Sequence, residues 1–547
     1  MTLAQRVQQW IGRALAAVLF GAVVYVYVKL IDSHPHAGWD GQLYLDVAQN
    51  LKSGAGLTID CSIYNHGFRS FPHPTSLYPL WPMVLSIALR YLSTQVAATT
   101  FPAVLALVAL ALAYLWGKRI LPARVLPLGL HGGHLALGVF GLHLDFAHFA
   151  TGPNTESLAF LILFAALLRG DRLFLRMGVR DGAELGLWCG ALFLTRSQML
   201  PSMLAVLAAL PLLLLLGCGK RALWFTLASI ASFTASYAPM HWWMTTFLET
   251  PSFGSFVDFT YARVPSTLSD IEQVAAHPTL ASRVAGIAHG LDVAAAPTTG
   301  YWAFFEGFAL TLPVALLVAA AWLAWHGREG LHRLREHFVD ARCHGMVWGV
   351  VTALGSFALL HVAQRESDQW WFGNRHAITA GLLFCFSGVV IARAFRWLRW
   401  PAVVALIVAT GSLADRAVEQ AKAVVPMPPI ESYNLRLTRW LERQRDRAGG
   451  KLVVAISSQE ARAMCGRVSG VGMHAMSKYN TYEDLQVMTR DLGAGFLLFR
   501  DAVPSRYLRD PRFATDLTRV GEVRVSRSHT FLVYAPPAPA PAPAMPP

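Results

Sequence analysis

Long apolar runs constrain this chain more than any other feature of its sequence. The first extends from Leu15 to Ile31, and runs of similar length recur along most of the 547 residues. A helix needs roughly 20 apolar residues to cross the ~30 Å hydrocarbon core of a bilayer, where it must satisfy its own backbone hydrogen bonds. With 54% hydrophobic and 14% charged residues, the chain carries few charges for a soluble protein of this size. The sequence therefore predicts an α-helical polytopic membrane protein.

The distribution of Lys and Arg along the chain indicates a membrane protein rather than a nucleic-acid-binding protein. The formal net charge is +13, and many Lys and Arg residues fall in short loops between apolar runs, as is typical of cytoplasmic loops. Arg6 and Arg13 precede the first run and predict a cytoplasmic N-terminus. That run is too long for a signal-peptide core and lacks a small-residue cleavage site, so we interpret it as a retained helix.

About eleven crossings follow if the segment Leu77–Leu92 does not cross. This segment is short and carries Pro79 and Pro82, which favours an interfacial or re-entrant helix. A full crossing there is the alternative, and it would place the next basic loop outside. The predicted crossings are Leu15–Ile31, Ala97–Gly117, Val125–Ala147, Asn154–Leu168, Glu184–Leu194, Met199–Gly217, Ala222–Met240, Glu306–Trp325, Gly345–Ala363, Ala377–Ala392 and Pro401–Leu413.

The domain organisation follows from this topology. Residues 1–418 form a transmembrane domain with a first extracytoplasmic loop at 32–76 and a large loop at 241–305. Residues 419–535 alternate between strand-like and helical patterns, which predicts a small α/β domain on the outer, periplasmic side. Residues 536–547 form a Pro/Ala-rich tail, and such composition favours an extended disordered segment.

Within the predicted α/β domain, three apolar runs have strand length and one segment has helical spacing. The strands are predicted at Lys451–Ser457, Gly495–Phe499 and Thr530–Tyr534, and the helix at Tyr482–Leu492.

The six cysteines show no metal-type spacing. Cys61 and Cys465 both fall in segments predicted outside the membrane, which leaves a disulfide between them open as an alternative.

A short helix is predicted early in the first loop. Leu43, Val47 and Leu51 share one stripe at helical spacing, and Gly54 follows as a helix stop. We expect this helix to lie on the outer membrane surface with its apolar face down. Asp40 falls at its start, where a plain N-cap is the alternative to a chemical role.

Several short motifs of this chain resemble those of one class of membrane enzymes. The motifs are Trp39-Asp40-Gly41-Gln42-Leu43-Tyr44 with Ala48, Asn50-Leu51 and Gly54; Pro74-Thr75-Ser76-Leu77-Tyr78-Pro79; Thr151-Gly152-Pro153-Asn154-Thr155-Glu156; Leu194-Thr195-Arg196; and Phe372-Gly373-Asn374-Arg375-His376. Their order resembles that of GT-C glycosyltransferases, in the branch of protein O-mannosyltransferases and aminoarabinose transferases. The likeness covers about the first 400 residues. This chain departs from many relatives in having Gly41 and Gln42, rather than a second acid, after Asp40.

The resemblance implies an inverting glycosyltransferase that moves a sugar from a polyprenyl-phosphate donor to an acceptor hydroxyl. Asp40 would be the general base. Arg69, Arg196, Arg375 and His376 would bind the departing phosphate, whose negative charge grows as the bond breaks.

Two further residues are candidates for substrate binding, each with an ordinary alternative. Glu156 falls in the first turn of a helix, where the dipole alone favours an acid. Tyr44 is suited to stacking on a sugar or prenyl chain, although interfacial aromatics are common anchors.

No cofactor is expected. A divalent metal at His134, Asp145 and His148 is conceivable from their spacing, but hydrogen-bonded side chains are the preferred interpretation.

The expected partners are a polyprenyl-phosphate sugar donor, a lipid, glycan or protein acceptor, and the membrane, with no nucleic acid. The expected location is a bacterial inner membrane with a periplasmic C-terminal domain. A transporter or flippase of a lipid-linked or anionic substrate is the alternative function, since it would use the same charges for binding alone. A sensor or assembly subunit is a third, in which Asp40 would be dispensable.

Overall fold

The fold consists of two compact units. The computed structural model describes residues 3–33, 39–62, 71–75, 77–121, 130–196, 219–247, isolated positions from 327 to 422, and 430–536 except 458–459, 462–463, 467, 477–479 and 526–528. The first unit, called here the helical unit, comprises Met1–Ile31, Pro102–Thr151 and Thr155–Val424. The second, the sheet unit, comprises Asp32–Phe101, Gly152–Asn154 and Val425–Pro547.

The secondary structure runs from mostly helical to mixed along the chain. The helices are α1 (Leu3–Ser33), α2 (Trp39–Ser53), α3 (Leu80–Tyr91), α4 (Thr94–Ala98), α5 (Thr100–Ile120), α6 (Gly132–Ala136), α7 (Leu144–Ala150), α8 (Glu156–Arg176), α9 (Val179–Thr195), α10 (Gly219–Phe247), α11 (Ile430–Arg447), α12 (Tyr482–Gln486), α13 (Ser505–Leu508) and α14 (Pro511–Asp516), with π-helical turns at Leu137–Gly141 and Val487–Asp491. The strands are β1 (Thr58–Ile59), β2 (Cys61–Ser62), β3 (His73–Pro74), β4 (Leu452–Ser457), β5 (Val471–Met476), β6 (Phe496–Arg500), β7 (Thr518–Arg524) and β8 (Thr530–Ala535).

Two helical stretches in the described part of the chain are long and apolar enough to cross a membrane. They span Arg6–Ile31 and Thr94–Ile120, each with a mean hydropathy of 2.2 over its most apolar window. Large apolar side chains on them, among them Trp10 and Val18, are about two-thirds exposed. Such surface is costly in water and is suited to lipid. The number of about eleven crossings stays a prediction, since most of residues 248–429 lie outside the described part.

Helices α9 and α10 pack with their backbones in close contact. Gly182, Gly186 and Gly190 recur every fourth residue along α9 and face α10. A Cβ atom at Gly186 would lie 2.2 Å from the carbonyl oxygen of Ser229. Small residues at this spacing allow helices in lipid to approach closely, where dispersion and weak polar contacts hold them together.

Two predicted boundaries in the helical unit differ from the structure. A single crossing is predicted at Val125–Ala147, but its described part is interrupted between α6 and α7. The ring of His143 accepts a hydrogen bond from the backbone of Phe146 at 3.3 Å, so a new helix begins there. At the other boundary, α10 continues to Phe247, past the predicted start of the large loop, of which residues 248–305 lie outside the described part.

The sheet unit contains a six-stranded mixed sheet in the order β2-β5-β4-β6-β8-β7. The first four strands are parallel, and β8 and β7 pair antiparallel to their neighbours. The strands predicted around residues 451–457, 495–499 and 530–534 are confirmed as β4, β6 and β8. The helical spacing at 482–492 is confirmed by α12 and the π-helical turn after it. Strands β5 and β7 and helix α11 have no counterpart in the prediction.

The first loop contributes an edge strand to this sheet. Strand β2 pairs in parallel with β5, with Cys61 opposite Met473. The backbone N–H of Met473 donates to the carbonyl oxygen of Asp60 at 2.7 Å. Leu43 of α2 and Cys61 are buried in the same apolar cluster as Leu437 and other residues of the C-terminal sheet. The described residues between 39 and 101 therefore belong to the same compact unit as the C-terminal region rather than to an isolated loop.

Helix α3 occupies the segment whose crossing is open from sequence. It has 12 residues, and at about 1.5 Å per residue it extends over about 18 Å, well short of a bilayer core. The indole of Trp81 is buried and donates to the carbonyl oxygen of Pro153 at 2.7 Å. The helix length therefore favours the interfacial or re-entrant interpretation.

Gly466 marks the closest approach between α2 and the C-terminal chain. Its φ is +68°, and a Cβ atom there would lie 2.5 Å from the backbone nitrogen of Asp46. Gly493 has a similar φ of +70°, with nothing within 4 Å of the corresponding position. Comparing substitutions at these two glycines therefore distinguishes the energetic cost of a left-handed backbone from the cost of a steric clash with α2.

We expect Gly466→Ala to destabilise the sheet unit more than Gly493→Ala. The left-handed conformation alone costs a non-glycine residue about 1–2 kcal/mol, and the clash with α2 adds to that cost only at residue 466. The opening free energy of β4, measured by hydrogen exchange on the full chain in detergent, checks this. Equal losses in the two variants would show that α2 does not pack tightly at this position.

Candidate active site

Helix α2 carries the predicted base at its beginning. The helix starts at Trp39 and ends at Ser53, and Gly54 follows it at φ +87°, so the predicted helix and its stop are confirmed. Asp40 is its second residue, and only the backbone of Asp40 is described. Tyr44, predicted to bind substrate, is 8% exposed on the same helix.

The predicted surface position of α2 is wrong. Residues 41–48 are all buried, including the polar Gln42 and Asp46. Leu45 and Ala48 add apolar cover away from the stripe that the sequence analysis identified. Because polar as well as apolar positions of α2 are buried, the helix is packed within protein rather than lying with only one face covered.

Asp46 joins three segments of the sheet unit. Its Oδ2 accepts a hydrogen bond from the backbone N–H of Asp60 at 2.7 Å. The thiol of Cys465 and the backbone N–H of Gly466 also donate to its carboxyl group. Burial, and then the neighbouring carboxyl of Asp60, raise the pKa of Asp46 to about 7. No motif in the sequence signals a structural role for Asp46.

The motif residue Asn50 holds the next stretch of the first loop. Its side-chain amide donates to the carbonyl oxygen of Thr58 at 3.1 Å and also to the carboxyl of Asp60. Burial raises the pKa of Asp60, and Asn50 and Lys451 oppose that shift. Part of the first-loop motif therefore fixes the chain around α2.

Two of the predicted substrate-binding residues meet in the helical unit. Nη1 of Arg196, directly after α9, forms a salt bridge with Oε1 of Glu156 in the first turn of α8. The same Nη1 donates to the hydroxyl of Thr155 at 3.1 Å. The side chains of Arg196 and Glu156 are only 6% and 3% exposed. The Thr-Glu and Thr-Arg motifs are thus two halves of one buried ion pair.

The remaining predicted site residues are not placed. Arg69, Arg375 and His376 lie outside the described residues. Among the residues that the structure does describe, no group of three or more His, Cys, Asp and Glu side chains is arranged to hold a metal. His134, one of the conceivable ligands, contacts the carbonyl oxygen of Gly12 at 2.7 Å through Nε2.

A charged cluster that the sequence analysis missed lies beyond the ends of β4 and β6. Arg500 donates to Oε1 of Glu460 at 3.0 Å, and Nδ1 of His529 lies 2.8 Å from Oδ2 of Asp501. The four residues come from distant parts of the sequence, so no local motif signals them.

The structure of the chain is similar to two solved structures, among others. The crystal structure of the Archaeoglobus fulgidus oligosaccharyltransferase tethered with an acceptor peptide is 12% identical, with a TM-score of 0.48, covering 89% of this chain and 69% of its own. That of ArnT from Cupriavidus metallidurans bound to undecaprenyl phosphate is 13% identical, with a TM-score of 0.46, covering 94% and 97%. Both are GT-C glycosyltransferases, the class whose motifs the sequence resembles.

No family model and no curated protein matches the chain. At these TM-scores, neither likeness assigns a substrate or a site residue, so the function proposed below is argued from the residues of this chain.

We expect Glu156→Gln to destabilise the helical unit by about 3–5 kcal/mol, because removing one partner leaves a buried charge uncompensated. Glu184→Gln is the matched control, since its salt bridge with Arg169 is about one-third exposed and should contribute little. Thermal unfolding of the full chain in detergent compares the two. Losses of the same size would contradict the buried pair.

The pKa of Asp46 predicts a pH dependence for the sheet unit. The native state holds this proton more tightly than the unfolded chain, in which an Asp has a pKa of about 3.9. The contribution of Asp46 to stability should therefore fall as the pH rises from about 4 to about 7 and stay level above.

Asp46→Asn should reduce that slope and leave only the part that the raised pKa of Asp60 contributes, whereas Asp491→Asn, at an exposed position, should keep the slope in full. Hydrogen-exchange opening free energies of β4 between pH 5 and pH 8, corrected for intrinsic exchange rates, measure it. An unchanged slope in Asp46→Asn would show that Asp46 is not the group that titrates.

Proposed function

We propose that the chain is an inverting glycosyltransferase that uses a polyprenyl-phosphate sugar donor on the periplasmic face of a bacterial inner membrane. The strongest support is that α2, the helix that carries Asp40, is held in a fixed position. The helix begins with the Trp39-Asp40 motif and is fixed by the buried carboxyl of Asp46. A base must be held in a defined position to act on a bound hydroxyl, and a helix anchored from its interior supplies that rigidity.

Asp40 acts as the general base in this proposal. Its carboxylate takes the proton of the acceptor hydroxyl as the hydroxyl oxygen attacks the anomeric carbon of the sugar. The bond from that carbon to the phosphate oxygen breaks, and its electron pair leaves with the phosphate. Attack from the opposite side inverts the anomeric configuration.

Cationic side chains stabilise the departing phosphate. Arg69, Arg375 and His376 carry most of this role, because charge-assisted hydrogen bonds strengthen as negative charge develops. Arg196 is already paired with Glu156, so its net charge is largely balanced, and we assign it a smaller share. Its pairing orients the guanidinium, which makes Glu156 a positioning residue.

The proposal names the donor and the acceptor by their chemical class. The donor is a polyprenyl-phosphate sugar, and the acceptor is a lipid, glycan or protein hydroxyl. Tyr44 contributes an aromatic surface to substrate binding. The reaction as proposed moves one proton and one glycosyl group and requires no cofactor, so activity should survive chelation of divalent metals by EDTA.

Asp40→Asn should abolish sugar transfer while leaving the fold intact. Loss of a general base typically lowers a rate by about 10²–10⁴-fold. The measurement is release of label from a panel of radiolabelled polyprenyl-phosphate sugars by the purified full chain in detergent. Asp491→Asn serves as a control for removing a carboxylate at an exposed site, and hydrogen exchange of α2 checks folding.

Two outcomes would contradict the proposal. One is an Asp40→Asn variant as active as the wild type. The other is a wild-type chain that binds donors without ever cleaving them, which would favour a transporter or flippase.

A further inference from the structure

We propose that Cys61 and Cys465 form a disulfide that links the first loop to the C-terminal sheet. Cys61 lies on β2, the edge strand supplied by the first loop, and Cys465 lies in the turn that contacts α2. The two are about 400 residues apart in the sequence. The inference shares with the proposed function only the predicted location outside the cytoplasm.

The two cysteines are not disulfide-bonded in the structure, but their thiols are in contact within the sheet unit. The side chain of Cys465 is within hydrogen-bonding contact of the side chain of Cys61. Both also lie near the carbonyl oxygen of Ala461: Sγ of Cys61 is 3.7 Å from it, and the backbone N–H of Cys465 donates to it at 2.9 Å. The carbonyl oxygen of Ala461 therefore lies next to both the sulfur of Cys61 and the backbone of Cys465.

The surroundings of the pair decide when the bond forms. The exposures of Cys61 and Cys465 are 0% and 1%, so no external oxidant reaches them after folding. Burial, followed by the contact with Cys61, raises the pKa of the Cys465 thiol well above its usual value. Because the thiolate is the reactive form, exchange is fast only while the chain is still open. The bond therefore forms during folding.

The chemistry balances with a disulfide-bearing thiol oxidoreductase of the extracytoplasmic compartment as oxidant. The thiolate of one cysteine attacks the oxidoreductase disulfide and forms a mixed disulfide. The second cysteine attacks that bond and releases the oxidoreductase as a dithiol. The two cysteines lose two electrons and two protons, and the oxidoreductase gains both.

A disulfide here would strengthen the attachment of α2. It closes a very long loop, the kind for which a cross-link restricts the unfolded chain most. It would also lie next to Asp46, which accepts a hydrogen bond from the thiol of reduced Cys465. Oxidation removes that donor and leaves the backbone N–H groups of Asp60 and Gly466 on the carboxyl.

The bond is tested directly by mass spectrometry of the full chain expressed with its natural membrane targeting. The chain is unfolded with N-ethylmaleimide and without reductant, and then digested. We expect a cross-linked pair of peptides containing Cys61 and Cys465, whereas Cys189 in α9, buried to the same extent, should carry maleimide. Maleimide on both Cys61 and Cys465 would overturn the proposal.

Substitution separates the covalent bond from simple packing. Cys61→Ser, Cys465→Ser and the double variant should all show faster hydrogen exchange in β2 and β5 by the same factor. Unfolding the chain with dithiothreitol and refolding it in the presence of the reductant should accelerate exchange in the wild type and not in the variants. Additive effects of the two substitutions, or a wild type unchanged by this treatment, would argue against a disulfide. Neither result depends on glycosyl transfer, so this proposal and the proposed function fail independently.

Discussion

A single buried carboxyl group, that of Asp46, is the point on which the sheet unit depends. It accepts hydrogen bonds from the loop after α2 and from the C-terminal turn at residues 465–466. A carboxyl group buried without such partners would cost several kcal/mol. The partners offset that cost only if all three segments are in place. The position of α2 is therefore tied to the folding of the C-terminal sheet.

This arrangement gives the C-terminal region a role that its composition does not reveal. The sheet accepts β2 at one edge through the pairing of Cys61 with Met473. Leu43 of α2 enters the apolar core of the same sheet. The region thus acts as a scaffold for the first loop, which carries the proposed base. In the helical unit, the buried pair of Glu156 and Arg196 has a similar role, since it fixes the ends of α8 and α9 relative to each other.

Local sequence patterns predicted many of the helices and strands, but they predicted few of the tertiary contacts between them. Strands β4, β6 and β8 are continuous apolar runs, so their positions follow from composition. Strand β5 carries Gly472 and His474, and most of β7 is exposed, so neither shows a clear period. Helix α2 was predicted, yet its burial was not, because its cover comes from α3 and, at Leu43, from residues of the C-terminal sheet, and no local pattern encodes these tertiary contacts.

The candidate site shows the same contrast: motifs identified individual residues, but they did not predict which residues contact each other. Glu156 and Arg196 were each identified from a motif, but their pairing with each other is a tertiary contact that spacing does not encode. Asp46 carries no local signal, since an acid within a helix is common, and Cys465 was noted only for its predicted location outside the membrane, not for its contact with Asp46. Asp40, Arg69, Arg375 and His376 keep the roles that the resemblance implies as proposals.

The central claim is that α2 and the C-terminal sheet are one cooperative unit. Its most direct test is native-state hydrogen exchange of the full chain across a denaturant series. The amides of α2 around Val47 and those of β4 around Val454 should open with the same free energy and the same denaturant dependence. If α2 instead exchanges through a separate opening of low free energy while β4 stays protected, the first loop folds independently and the account is wrong.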